Sequence, residues 1–417
     1  MSEPWWALAP PVRWVGGNRV TLLEGGDALF PAMARALAAA EREVWFATYI
    51  FHDDRAGRAV ADALIAAAAR GVLVHLVVDG FGTKDTLETL RAWLAGSEVR
   101  LEVFRPIHRW WHWFQPQALR RLHQKLCVVD DRVAFVGGIN VIDDRHDLNH
   151  GWTDAPRLDF AVQVDGPLAS AVRHAARAMW ARAHLGRGWR REAERLLASP
   201  TPMDRTRNLL RTLGAAPRET VVHDTRPMRA AFVVRDNVRQ RRAIERRYID
   251  AMRQAREAID IAVPYFYPGR RFRRTLRQAA ARGVRVRLLL QGKIDYPIAA
   301  LAARVLYDEL RAHGVRIFEY TPAFLHAKVA RVDDRWATVG SSNIDPLSLL
   351  LNLEANVIVR DPGFSATLVE RLEAAFAVST EITRPQPLPG WRRWLRRWLV
   401  GSLAQAYLRL AGVTGRY

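Results

Sequence analysis

The chain has 417 residues, with 63 Lys and Arg against 43 Asp and Glu, a formal net charge of +20 at pH 7 and a pI near 11.1. That charge calls for an acidic partner, nucleic acid or anionic lipid, and the length leaves room for two domains. A single cysteine, Cys127, excludes an intramolecular disulfide, and no uncharged apolar run reaches spanning length, so no membrane-crossing helix is expected.

In chain order, Met1 to Pro11 has neither a basic n-region nor an apolar h-region, so no signal peptide is expected there. The Ala- and Arg-rich stretches 32–43 and 56–70 have helical composition, and each leads into a β-branched run, "VWFATYIF" or "VLVHLVV". Runs that apolar suit strands covered on both faces. Gly71 and Gly283 follow helical stretches as stop signals. "HQKLCVV", "DD" and "VAFVGG" read as strand, turn and returning strand, which puts His123 and Lys125 on one face of a hairpin. A less patterned stretch begins near residue 185.

The chain then says much of this again. "LHQKLCVVDDRVAFVGGIN" (122–140) returns as "LHAKVARVDDRWATVGSSN" (325–343), with the interval from His123 to Asn140 equal to that from His326 to Asn343. "AAAARGVLVHLVVDG" is echoed by "QAAARGVRVRLLLQG", and "TYIFHDD" by "VPYFYPG". The repeat unit is about 200 residues, too long for a solenoid and suited to a duplicated domain. The organisation expected is a first domain at 1–190, a linker at 191–228, a second domain at 229–385 and an amphipathic tail at 386–417.

A histidine titrating near neutrality can serve as nucleophile or as acid and base, and a lysine beside it holds a phosphate oxygen as a point charge. Taken alone, one His-x-Lys on a strand is a solvated edge. Two copies at matched spacing, in halves that otherwise diverge, point to a shared site. Gly137, Gly138, Gly340, Ser341 and Ser342 are small enough for backbone to approach a phosphate. Asp130 and Asp333 each open a "DDR" turn, which favours a structural role within the motif.

The doubled H-x-K-x4-D followed by G-G/S-x-N resembles the phospholipase D superfamily. "NRVTLLEGGDALFPAMARAL", "TYIFHDDRAGRAVADAL", "ARGVLVHLVVDGFGT" and "VVRDNVRQRRAIERRYIDAM" extend the resemblance to bacterial cardiolipin synthases of the B type along nearly the whole chain. The resemblance implies two duplicated α/β domains with mixed sheets and one active site at their junction. It assigns the catalytic set His123, Lys125, Asp130, His326, Lys328 and Asp333. One histidine would attack the lipid phosphorus to give a phosphatidyl-histidine; the other would protonate the leaving alcohol and then deprotonate the incoming one. Lys125, Lys328, Asn140, Asn343 and the hydroxyl of Ser342 would hold the non-bridging oxygens. Glu354 and Asp159 stand where the superfamily keeps carboxylates that orient the histidines. No cofactor and no metal are expected, since the histidines show no other ligand spacing.

Tryptophan separates the two acidic partners. Fifteen are present. "RWWHWF" (109–114) lies in an insertion, because the interval from Gly71 to His123 exceeds that from Gly283 to His326, and indoles favour the lipid headgroup region. In "WRRWLRRWL", Trp391, Trp394, Leu395, Trp398 and Leu399 share one helical face and four Arg take the other, the pattern of an interfacial helix. A docked terminal helix with a solvated Arg face is the alternative. The expected partners are therefore anionic phospholipids, with phosphatidylglycerol foremost, at the cytoplasmic face of the cell inner membrane, with no nucleic acid. A phospholipase D hydrolase, a nuclease using the same site, and a non-enzymatic basic binding module are the competing readings.

Overall fold

The computed structural model describes residues 12–106, 120–197, 228–236, 240–293, 297–350 and 352–383. The Trp-rich insertion, residues 198–227 of the linker expected at 191–228, and the C-terminal helix pattern lie outside these residues.

Local chemistry sets the elements. The first helix is Gly25–Ala38, earlier than the Ala-rich 32–43 predicts. The amides of Glu41, Arg42 and Glu43 are bonded instead to the Asp130 carboxylate at 2.8 to 2.9 Å, which fixes the start of the strand Glu43–Thr48. The helix Arg55–Ala69 is capped by the Asp54 side chain, which accepts from the Gly57 amide at 2.9 Å. Gly71 and Gly283 follow the helices Arg55–Ala69 and Arg270–Ala281 with φ of 87° and 88°, a left-handed turn that a side chain would strain.

The described residues form a 15-stranded mixed sheet and a small antiparallel ribbon of His146–Asp147 with Gly151–Trp152. The centre of the large sheet is the antiparallel pair Val15–Glu24 and Met228–Arg235, the first strand of each half. From Val15–Glu24 outward run Phe160–Asp165, Val133–Gly137, Leu126–Val129, Glu43–Thr48, Leu73–Asp79 and Arg100–Phe104. From Met228–Arg235 the other way run Glu354–Arg360, Trp336–Gly340, Val329–Val332, Ala258–Ala262, Arg285–Gln291 and Arg316–Tyr320, the same order, and Thr380–Glu381 closes the edge. In each half the three strands Glu43–Thr48, Leu73–Asp79 and Arg100–Phe104, or Ala258–Ala262, Arg285–Gln291 and Arg316–Tyr320, pair in parallel through crossover helices; the inner strands and the edge strand Thr380–Glu381 pair antiparallel. The halves are thus copies related by a pseudo-twofold axis at the central pair.

The strands are apolar on both faces because both faces are covered. One face of both halves shares a single core, with Val172, Ala175 and Met179 of the helix Ala169–Leu197 and Leu368, Leu372 and Phe376 of the helix Pro362–Ala377. Separate cores fill the opposite face of each half. The helix Ala169–Leu197 runs past residue 190, where the sequence places the end of the first domain. Among the described residues no helix is long and apolar enough to cross a membrane.

Candidate active site at the junction of the halves

The hairpin strands begin three positions later than "HQKLCVV" suggests, at Leu126 and not at His123. Leu126–Val129 pairs with Val133–Gly137, and Val329–Val332 with Trp336–Gly340, so His123, Lys125, His326 and Lys328 lie in the segments just before their strands. Their backbone is claimed from across the junction. The His123 amide donates to the Leu353 carbonyl at 3.0 Å and the Leu353 amide to the Arg121 carbonyl at 2.9 Å. In the mirror arrangement, His326 donates to Leu158 at 2.8 Å and Leu158 to Phe324 at 2.9 Å.

The side chains cross in the same way. His123 Nδ1 is 3.0 Å from the Glu354 carboxylate, and His326 Nδ1 is 2.6 Å from Asp159 Oδ2. Each histidine is therefore oriented by a carboxylate of the opposite half. With Nδ1–H donating to the carboxylate, the Nε2 lone pair is left for chemistry. Lys125 Nζ donates to the His123 carbonyl at 2.8 Å, and Lys328 Nζ donates to the His326 carbonyl and stands 3.8 Å from Asp159 Oδ2.

Burial governs the protonation states. It pushes the His123 imidazole below its usual range against the pull of Glu354, and it does the same to His326, where Lys328 adds to the effect. It lowers Lys125 to about 8 and Lys328 to about 7, although Asp159 and Glu354 oppose it. Burial raises Asp159, but Lys328 and His326 outweigh it and hold the carboxyl below its ordinary value. Each lysine is within electrostatic reach of carboxylates from both halves, so the two motifs form one charged cluster.

The remaining site residues divide. Asn140 Oδ1 accepts from the Ile50 amide at 3.3 Å, tying the end of the first motif to the loop after Glu43–Thr48. Asn343 is buried with its Oδ1 unpartnered. Ser342 donates to the Asn343 carbonyl at 3.2 Å; the hydroxyl on the active-site carboxylate belongs to Ser341, 2.5 Å from Glu354 Oε2. Its counterpart in the first half is Gly138, where a Cβ would lie 2.3 Å from Asp159 Oδ1. The space the glycines leave is thus filled by Asp159 and by Ala161, 2.5 Å from a Cβ at Gly137, and not held open for a ligand. Asp130 and Asp333 lie at the far ends of their strands, in turns with φ of 53° and 52°. Asp333 accepts from Arg256, Glu257 and Ala258 as Asp130 does from Glu41, Arg42 and Glu43. Both act on strand starts and touch neither histidine.

Sequence reasoning missed Asp79 and Gln291, which end equivalent strands in the echoed "VVDG" and "LLQG". Asp79 Oδ2 accepts from the Leu122 amide at 2.9 Å and Gln291 Oε1 from the Leu325 amide at 2.8 Å, each fixing the residue before a motif histidine. Burial raises the Asp79 carboxyl against the attraction of Arg121. Tyr49 was missed as well: its ring packs 5.1 Å from His123 and lies under Lys125 Nζ at 5.4 Å.

A duplicated mixed α/β sheet with paired His–Lys motifs crossed by carboxylates defines an enzyme of the phospholipase D superfamily. The family model described as cardiolipin synthase, phospholipase D-like domain, matches residues 33–152 and again 248–377. Cardiolipin synthase B of Escherichia coli strain K12 is 36% identical over 91% of this chain and 86% of its own. Cardiolipin synthase A of Pseudomonas fluorescens strain Pf-5 is 31% identical over 89% of this chain and 71% of its own. The fold resembles a phosphatidylserine synthase from Haemophilus influenzae, with a TM-score of 0.61 at 12% identity over 93% of both chains. The chain belongs to the cardiolipin synthase family of the phospholipase D superfamily, in its B-type branch, and is a phospholipid phosphatidyltransferase.

Proposed function

We propose that the enzyme makes cardiolipin by transferring the phosphatidyl group of one phosphatidylglycerol to a hydroxyl of another. In the first step Nε2 of one motif histidine forms a bond to the lipid phosphorus. The bond from phosphorus to the glycerol oxygen breaks, and the other histidine, which enters the step as an imidazolium paired with its carboxylate and the anionic phosphodiester, delivers its Nε2 proton to that oxygen, releasing glycerol. That histidine then takes the proton of the acceptor hydroxyl, whose oxygen bonds to phosphorus as the P–N bond breaks. Lys125 and Lys328 face the charge on the non-bridging oxygens, with Asn140 and Asn343 beside them. Asp159 and Glu354 stabilise each imidazolium as it forms. Asp130 and Asp333 serve the scaffold.

The observation that carries this reading is the crossed pairing of His123 with Glu354 and His326 with Asp159, which supplies two histidines with free Nε2 atoms in one cluster. The cardiolipin synthases at 36% identity support the lipid substrate, and the charge of +20 supports an anionic surface. The enzyme then works as a peripheral protein on the cytoplasmic face of the cell membrane. Purified protein incubated with phosphatidylglycerol vesicles should yield cardiolipin and glycerol, resolved by mass spectrometry. Phosphatidic acid as the dominant product would make it a hydrolase. Cleavage of an oligonucleotide with no cardiolipin formed would make it a nuclease.

A further inference from the structure

Apart from the catalytic cluster, the fold gathers His52, Asp54 and His146, residues far apart in sequence and brought together beside the junction of two loops. His52 and Asp54 follow the strand Glu43–Thr48, and His146 follows the first motif. The loops are already stitched by backbone: His52 N–H donates to the Val141 carbonyl at 2.8 Å, and Val141 N–H to Ile50 at 3.1 Å. One potential ligand atom from each of the three residues lies within 4.8 Å of the others.

The distances are the informative feature. His52 Nδ1 is 3.5 Å and His146 Nδ1 3.8 Å from the same atom, Asp54 Oδ2. Both exceed a hydrogen bond, which for N–H···O runs about 2.7–3.2 Å. Both Nδ1 atoms are buried, and neither has a hydrogen-bond partner. Two unpartnered imidazole nitrogens turned toward one carboxylate oxygen, yet not bonded to it, are costly unless something completes them. An ion with metal–nitrogen and metal–oxygen bonds of about 2.0–2.2 Å sets its tetrahedral ligands roughly 3.3–3.5 Å apart, close to the spacings seen here.

The supporting contacts suit such a site. Asp54 Oδ2 also accepts from the Asp143 amide at 2.8 Å and Oδ1 from Gly57, so the carboxylate is held in place by its backbone neighbours. The His146 ring stacks on Trp152 at 5.1 Å with an interplanar angle of 11°, and the His52 ring meets it edge-on at 4.5 Å. Asp53 Oδ1, 3.4 Å from His52 Nδ1, brings a second carboxylate to the rim. The His52 and His146 side chains keep 16% and 19% of their surface exposed, which leaves an ion a way in.

We infer that His52, Asp54 and His146 form a binding site for a divalent transition-metal ion of the Zn2+ type, which clamps the loop after Glu43–Thr48 to the loop after the first motif. Two imidazoles and one carboxylate select a borderline ion over Ca2+ or Mg2+, which take oxygen ligands. Its role is to hold the loop that carries Tyr49 and Ile50 in register with the loop that carries Asn140. The inference does not depend on which reaction the enzyme performs.

The test uses the tag-free full-length protein, stripped with a chelator and then offered Zn2+ alone. Wild type should retain about one Zn2+ per chain after gel filtration, measured by mass spectrometry of the metal. Its thermal midpoint should rise by a few degrees on reloading, as binding to the folded state alone requires. Co2+ in place of Zn2+ should give visible absorption bands that Zn2+ abolishes. His52→Gln with His146→Gln should lower the affinity at least about 100-fold and remove the thermal response. The midpoint of that variant should match that of stripped wild type. Wild type that retains no metal, shows no Co2+ bands and does not respond to Zn2+ would overturn the inference. So would a double variant that binds Zn2+ as wild type does, which would put the ion elsewhere in the chain. Should the double variant fail to fold, His146→Gln alone and the Co2+ spectrum of wild type give the same decision.

Discussion

At the scale of single residues, the site is a set of buried charges whose values depend on what fills it. Lys125 near 8 and Lys328 near 7 are each well below the unfolded value of about 10.4. Between those limits the unfolded chain holds more protons than the folded one, so the stability of the empty enzyme should rise with pH from about 7 to about 10. An anionic phosphodiester between the lysines restores their charge, so binding should take up protons at pH 8. Calorimetry in buffers of different ionisation enthalpy reads that uptake directly, and heats independent of buffer would show the lysines already charged. His123→Ala and His326→Ala should each abolish turnover, and the double variant should be little worse than either single, because the two histidines act as a unit. Most of the activity surviving in either single variant would refute a shared site. Asp130→Ala and Asp333→Ala belong to another class. Each removes an acceptor of three backbone amides and should cost about 2–4 kcal/mol of stability, seen as a lower thermal midpoint, with turnover retained by the folded fraction. The sequence displays these motif residues by their repetition, and the "DDR" turns already favour a structural role for Asp130 and Asp333, but spacing cannot name the backbone amides that each carboxylate takes. Nor can it choose between adjacent serines: the Ser341 hydroxyl reaches Glu354, while that of Ser342 turns to the Asn343 carbonyl.

At the scale of elements, legibility follows how local the cause is. Apolar runs and stop glycines mark the strands Glu43–Thr48 and Leu73–Asp79 and the end of the helix Arg55–Ala69, because those causes lie within a few residues. The first helix ends within its Ala-rich stretch, at Ala38, because the Asp130 carboxylate, distant in sequence, takes the amides of Glu41, Arg42 and Glu43. His123 and Lys125 stand outside the strand because Leu353 claims the His123 amide. Both causes come from other parts of the fold and leave no mark in the local pattern. The amphipathic stretch 391–399 is read from sequence and lies outside the described residues. If it anchors the enzyme, four Arg contribute on the order of 1 kcal/mol each near a negative surface, and the Trp and Leu face adds an apolar term that salt does not screen. A chain ending at Pro389 should bind anionic vesicles more weakly and still turn over substrate in detergent micelles. Vesicle binding by wild type should resist salt better than binding by a variant with Trp391, Trp394 and Trp398 changed to Ala, since the Arg attraction is screened within about 10 Å at 0.1 M salt. Unchanged vesicle binding after truncation would assign the anchoring elsewhere, with the exposed Leu148 and Trp152 as the next candidates.

At the scale of the whole molecule, duplication and catalysis are one problem. The central pair Val15–Glu24 and Met228–Arg235 joins two equivalent sheets edge to edge, and isolated parallel bridges pair Leu122 with Leu353 and Leu158 with Leu325 across the junction. The repeat in the sequence announces two units and a shared site. The crossing of partners is a property of the pseudo-twofold axis and appears only in three dimensions. Its consequence is that neither half holds a complete catalytic pair: the first has His123 without Glu354, and the second has His326 without Asp159. Residues 1–190 and 229–417, produced separately, should each be inactive as monomers, and their co-expression as two polypeptides should restore turnover. An isolated half has one escape, since two copies of the first half could offer Asp159 to each other's His123 across a true twofold axis. Any activity of a single half should then sediment with a dimer and be lost with Asp159→Ala. A single half that is active as a monomer would break the link between the crossed carboxylates and catalysis, because its histidine would be working without the partner that fixes its tautomer.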